Sequence, residues 1–313
     1  MVLHYRGVEQ KHTKRGKKYE GLGYLLILVF TVLNLGESMV VKAYAKRFGS
    51  GGMLMNAVIA LFATVFFLIS DFIKPETRGF YVPSAMLPLA LINCCLFAAG
   101  FYFAFLAFKI GPYGLTRLIS SFSLLFSIFY GIFFLHEETD ALTYIGIAMI
   151  LCAMVMINCK KSAKDEEENG ISLKWLIYLM ISVVSNGFIA ILTRMQQIRF
   201  EDACSNEFQI ISIGGSFLVL TVLGLIIDRD KLGAVAKNGL LYGAAAGLCN
   251  GGKNFVALAV YLCLPLSTVS PVKTGVGMIG AFLVAVLFYK EKYTTLQKLG
   301  VLLGVVAVVL LAL

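Results

Sequence analysis

The chain of 313 residues is 59% hydrophobic and only 14% charged, with a net charge of +9; a soluble domain carries roughly 25% charged residues. Its apolar stretches are long and nearly continuous rather than alternating, which excludes an ordinary soluble domain and a lipid-facing β-barrel. What remains is an all-α integral membrane protein, because a helix satisfies its own backbone groups in lipid.

Residues 1–20 form a basic tail with Arg6, Lys11, Lys14, Arg15, Lys17 and Lys18. It suits the anionic surface of a lipid bilayer, and a short basic tail alone specifies no nucleic-acid site. The apolar run behind it is full length, so it does not read as a cleavable signal peptide. Ten apolar runs follow, at 22–41, 53–70, 85–108, 113–135, 142–159, 173–193, 207–227, 239–262, 266–289 and 295–313. Each is near the ~20 residues that cross a ~30 Å hydrocarbon core, so ten transmembrane helices are expected.

The first run carries Asn34, Glu37 and Ser38 on one helical face. Arg117 lies a turn into the fourth, near Ser120 and Ser121. Residues 160–172, KKSAKDEEENGIS, form a solvated linker with an Asn169-Gly170 turn signal. The eighth run holds GLCNGGKNF, with Asn250, Lys253 and Asn254 on one face and a stripe of Gly243, Gly247 and Gly251. The ninth holds Ser267, Ser270, Pro271 and Lys273; Pro271 withdraws a backbone donor and should kink the helix. Gly300 and Gly304 form a second stripe in the tenth. Small residues let helices approach closely, so both stripes read as packing faces, with pairing into a homodimer as a further use. Phe101, Tyr102, Phe103 and Tyr113 read as core- or lipid-facing aromatics.

Much of the pattern occurs twice. Phe133–Val155 returns as Leu287–Val309: Phe134 falls on Phe288, Glu137 on Glu291, Leu142 on Leu296 and Gly146 on Gly300. Asn34 falls on Asn186, Lys42 on Arg194, Asn56 on Gln209, Gly100 on Gly252 and Pro112 on Pro265, always with an offset of 152–154. A duplicated unit of five helices is odd-numbered, so the second copy should cross with inverted polarity, a plan found in transporters. The expected layout is a tail at 1–20, a first repeat at 21–159, a linker at 160–172 and a second repeat at 173–313. The loops opposite the tail carry more Lys and Arg than the tail side, whereas the tail is the densest basic cluster, so the two orientation signals disagree.

With FFLHEE and LFYKEK closing the fourth and ninth runs and a Gly in each following helix, the chain resembles the drug/metabolite transporter superfamily over about residues 21–313, nearest its EamA-like and nucleotide-sugar-transporter-like branches. HEE stands where the family commonly has a Gly-Glu pair. The resemblance implies cytoplasmic termini, a central cavity lined by both halves, and a multi-pass protein, here expected in a bacterial cytoplasmic membrane.

Intramembrane charge is costly, at least ~2.5 kcal/mol at mid-bilayer, and so marks function. Lys253, Lys273 and Arg117 against the one acid Glu37 bias the cavity toward an anionic or carboxylate-bearing solute. Asn250, Asn254 and Ser270 would orient that solute, and Glu37 would handle a coupling proton. Alternatively Glu37 neutralises Arg117 or Lys253 as a structural pair. A rival reading is proton-coupled efflux of cationic drugs through Glu37, as in the small multidrug-resistance relatives with a first-helix Glu. There is no HExxH, GxSxG or Walker loop and no Cys/His metal spacing, so no catalytic residues, metal or cofactor are expected, and a membrane enzyme or an assembly subunit is the less favoured class.

Overall fold

A computed structural model describes residues 2–48, 51–73, 80–110, 116, 119–120, 122–136, 141–158, 173–200, 204–287 and 294–311. Among them are ten α-helices of six or more residues. They are α1 (Val2–Phe48), α2 (Gly52–Ile73), α3 (Leu87–Ile110), α4 (Leu124–Phe129, continued by a π-turn at Tyr130–Phe134), α5 (Ala141–Asn158), α6 (Leu173–Arg199), α7 (Ser205–Ile227), α8 (Leu240–Cys263), α9 (Leu266–Leu287) and α10 (Thr295–Leu311). Every expected run overlaps one of them. α1 starts at Val2, so the basic tail and the first apolar run are parts of one helix rather than separate elements. α9 runs on through Pro271. The linker at 160–172, together with Arg117, Ser121, Glu137 and Glu291, lies outside the described residues.

Five segments are long and apolar enough to cross a membrane: 21–45, Gly52–Ile73, 84–110, Leu173–Arg199 and Ser205–Ile227. α4, α5, α9 and α10 contain shorter apolar stretches, and α8 is interrupted at mid-length by Asn250, Lys253 and Asn254. Large apolar side chains such as Val32, Ile226 and Leu241 point outward, as they would into lipid tails.

Because lipid gives helices no apolar incentive to associate, close approach at small residues matters most. The α8 stripe lies against α2. A Cβ added at Gly243 would come 2.4 Å from Val58, one at Gly247 2.6 Å from the Ile59 carbonyl oxygen, and one at Gly251 2.8 Å from Phe66. Gly304 of α10 faces Ala153 of α5. These stripes are therefore taken up inside the chain.

The helix pairing has an internal regularity. α1 packs on α8 and α6 on α3; α2 packs on α8 and α7 on α3; α1 packs on α9 and α6 on α4. α2 also packs on α7, α5 on α10, and α4 on α9. Adding or subtracting five from every helix number maps these pairings onto one another, whereas α9 also packs on α10.

Two ends can be told apart by contacts. Gly23 of α1 meets Leu264, just after α8, and Ser205 at the start of α7 bonds Gln196 near the end of α6; this is the tail end. At the far end Met53 N–H of α2 donates to Asp228 Oδ2 after α7 (3.1 Å), and Arg47 of α1 donates to the Tyr242 hydroxyl of α8 (3.4 Å).

Candidate functional site

Between the two sets of helices lies a cavity of about 400 Å³, lined by α1–α4 and α6–α9 but not by α5 or α10. Its polar wall is the α1–α8 contact. On α1, Phe30, Asn34, Glu37 and Val41 recur at helical spacing and face the cavity; on α8, Asn250, Lys253, Asn254, Ala257 and Tyr261 do the same.

Glu37 is 9% exposed. The Asn250 amide donates to its Oε1 (2.8 Å), and the Lys253 ammonium forms an ion pair with its Oε2. Lys253 also donates to Asn34 Oδ1 (3.4 Å). Asn254 donates to the side-chain and main-chain oxygens of Asn250, both at 3.0 Å. A buried charge left alone would be expensive; here carboxylate, ammonium and three amides satisfy one another. Of the two pairings open for Glu37 in the sequence, the structure forms the one with Lys253.

Lys273 of α9 stands differently. Its ammonium lies over the Phe30 ring at 4.3 Å and the Tyr261 ring at 5.3 Å, and donates to the Tyr261 hydroxyl (3.3 Å). Among the described residues no carboxylate pairs with it. Ring faces attract a cation by about 0.5–2 kcal/mol, less than a carboxylate would in the same dry place. Ser270, one turn earlier and buried, lines the same part of the cavity. Lys42, Lys253 and Lys273 against Glu37 are the described charged side chains on the lining.

Tyr261 is itself held from behind. Its carbonyl would accept from the N–H four residues on, but that residue is Pro265, which has none. Arg194 of α6 donates to it instead (2.7 Å), and Gln197 donates to the Leu258 carbonyl (3.2 Å).

Of the residues singled out from sequence, Lys253, Asn250, Asn254, Lys273, Ser270 and Glu37 all reach this one cavity. Arg117 is not described; its neighbour Thr116 accepts a bond from Trp175 (2.9 Å). Phe101, read as a core or lipid-facing aromatic, packs on an apolar cluster and also lines the cavity. Phe30 and Tyr261 were missed, although extending the polar face of each helix by one turn reaches them. No group of three or more His, Cys, Asp or Glu side chains that could hold a metal occurs among the described residues.

A bundle of apolar helices around a buried, charged cavity fits an integral membrane protein. Residues 21–159 match the EamA-like transporter family, which lies within the drug/metabolite transporter superfamily. The matched family is one of membrane transporters of the drug/metabolite kind. The chain matches none of the curated proteins. Twenty-eight chains of solved structures match its fold. One of these, described only as the crystal structure of a protein, has a TM-score of 0.67 and 13% identity over 94% of this chain and 96% of its own; it is similar in fold.

Proposed function

We propose that the chain is a secondary transporter that moves a small polar, anionic or carboxylate-bearing metabolite by alternating access, with ten spans arranged as two inverted five-helix halves. The observation that carries this is Lys273: a mid-helix ammonium facing the cavity with rings and a hydroxyl around it and, among the described residues, no carboxylate. A solute carboxylate gives that ammonium the charge-assisted partner it lacks, while the Ser270 hydroxyl and the Asn34, Asn250 and Asn254 amides orient the polar remainder. Lys253 shares its charge with Glu37, so it serves the solute second, when the pair opens. A proton on Glu37 would loosen that pair, which is how Glu37 would couple proton movement to transport.

The far end of the cavity is lined by half-buried Lys42, Phe108 and Phe282, whereas Thr193, Gln209, Tyr261 and Ser270 toward the tail end are buried. We read this as a conformation accessible from the far end. Efflux of cationic drugs through Glu37 is less well supported, because its carboxylate already holds Lys253 and Asn250.

Anything that binds the folded protein raises its melting temperature. Purified protein screened against a metabolite library should be stabilised by carboxylates, and Lys273→Gln should lose the shift while melting normally by itself. Stabilisation by lipophilic cations alone, unchanged in Lys273→Gln, would reject the anion assignment.

A further inference from the structure

If the cavity is reached from the far end here, the solute must leave through the tail end, where Thr193, Gln209, Tyr261 and Ser270 are buried. Its plug is not apolar. α6 presents Thr193, Gln196 and Gln197, and α7 presents Ser205, Asn206, Gln209 and Ser212; each set recurs at helical spacing. All seven are buried, with Gln196 at 0%, Gln209 at 2% and Gln197 at 4% exposure. The faces meet where Ser205 donates to Gln196 Oε1 (3.1 Å). The polar strip continues to α2 and α3. Asn206 donates to Ser70 (3.5 Å), Asn93 to Ser212 (3.3 Å), and Ser212 to the Ala90 carbonyl (3.5 Å). At its inner end the strip joins the cavity, since Thr193 and Gln209 both line it.

The strip is also under-satisfied. Gln196 Nε2, Gln197 Oε1, Gln209 Oε1, Asn93 Oδ1 and Arg194 Nε are buried without a hydrogen-bond partner among the described residues. Buried polar groups are normally paired, and each exception calls for an explanation. The equivalent places in the first half hold Val41, Tyr44, Ala45, Gly52, Met53, Asn56 and Ile59, and Tyr44 there sits in an apolar cluster with Met55, Ile59 and Phe105. Only the Gln209 position is polar at both ends, as Asn56, so most of the strip's polarity belongs to the tail end.

Resting on the transport reading, we propose that the tail-end passage for the solute runs between these faces of α6 and α7, from Thr193 and Gln209 past Gln196, Gln197, Ser205 and Asn206 to Ser70. The amide and hydroxyl groups that lack partners in the closed passage bind water and the polar solute when it opens. Arg194, between the Tyr261 carbonyl and the passage, positions the Lys273 subsite at the inner mouth.

The test is sided thiol modification of the full chain with its seven native cysteines replaced and single cysteines at Ser205, Gln209 or Thr193. The probe is a charged, membrane-impermeant methanethiosulfonate applied from one face at a time. Reaction from the face carrying the N-terminus should be at least about tenfold faster than at a cysteine placed at Leu220, buried in the apolar part of α7. The passage assignment is overturned if all three positions react as slowly as Leu220→Cys, or only from the opposite face, in protein that still transports. Thr193→Cys and Gln209→Cys give separate readings should Ser205→Cys fail to fold. Fast reaction in protein that moves no solute upholds the opening and overturns the transport reading instead, so the two failures are distinct.

Discussion

The cavity is walled by two equivalent contacts made from unlike chemistry. In the α1–α8 contact Glu37 pairs with Lys253, flanked by Asn34, Asn250 and Asn254. At the same offset, the α6–α3 contact places Ile189 where Glu37 stands and Phe101 where Lys253 stands, with Asn186 matching Asn34 and Ala98 matching Asn250. Ile189 and Phe101 pack on one apolar cluster. The two contacts join helices at matching places in the chain order, while the charge lies on one wall only. A cavity with one charged and one apolar wall can orient a solute that has a charged end and a carbon skeleton, which two identical walls would not.

The contrast can be broken most severely at the ion pair. Removing one member of a buried pair strands the other charge, a loss of about 3–5 kcal/mol. Glu37→Ala should therefore lower the thermal midpoint in detergent strongly. The double change Glu37→Ile with Lys253→Phe, which copies the opposite wall, should restore most of the stability while abolishing transport. If Glu37→Ala melts like the parent, the pair is not holding the wall.

Next in size is the glycine stripe, which α8 has and α3 lacks. Gly247→Leu would drive a side chain into Ile59 and Phe62 of α2, an overpacking cost of about 1–3 kcal/mol or more. Its counterpart in α3 is Cys95, which is exposed, and Cys95→Leu should stay within ~0.5 kcal/mol. Size-exclusion profiles and melting of the two variants measure the difference; equal effects would mean that the walls are packed alike. The smallest expected change is at the far end, where Asp228 caps the start of α2; at the tail end the N-cap residue of α7, Cys204, makes no side-chain capping bond. Asp228→Ala should cost ~1 kcal/mol, seen as faster amide exchange at the start of α2.

Most of this architecture is visible in the sequence because the bilayer demands long apolar helices, and ten runs gave the ten helices within a few residues at most boundaries. α4 departs, starting at Leu124 for a run expected from 113, and so does α1, since nothing apolar marks its first twenty residues. The charged wall was legible too, because Asn250, Lys253 and Asn254 interrupt an apolar helix. The tail-end passage was not. An apolar-run criterion ends the sixth helix at 193 and starts the seventh at 207, so Gln196, Gln197, Ser205 and Asn206 fall into what looks like a solvated loop. In the structure α6 continues to Arg199 and α7 begins at Ser205, which turns those polar residues into buried helix faces. Tyr261 was hidden for a related reason: its role depends on Pro265 freeing a carbonyl for Arg194 on another helix, a pairing that no local pattern encodes.

The most direct measurement is flux into liposomes that contain only the purified protein, taken across a panel of labelled carboxylate-bearing metabolites and repeated with Lys273→Gln and Lys273→Arg. The account predicts that at least one carboxylate is moved, that Lys273→Gln slows it by at least about tenfold, as expected for losing one charge-assisted hydrogen bond, and that Lys273→Arg retains part of the flux. Transport by Lys273→Gln at the parent rate would contradict it.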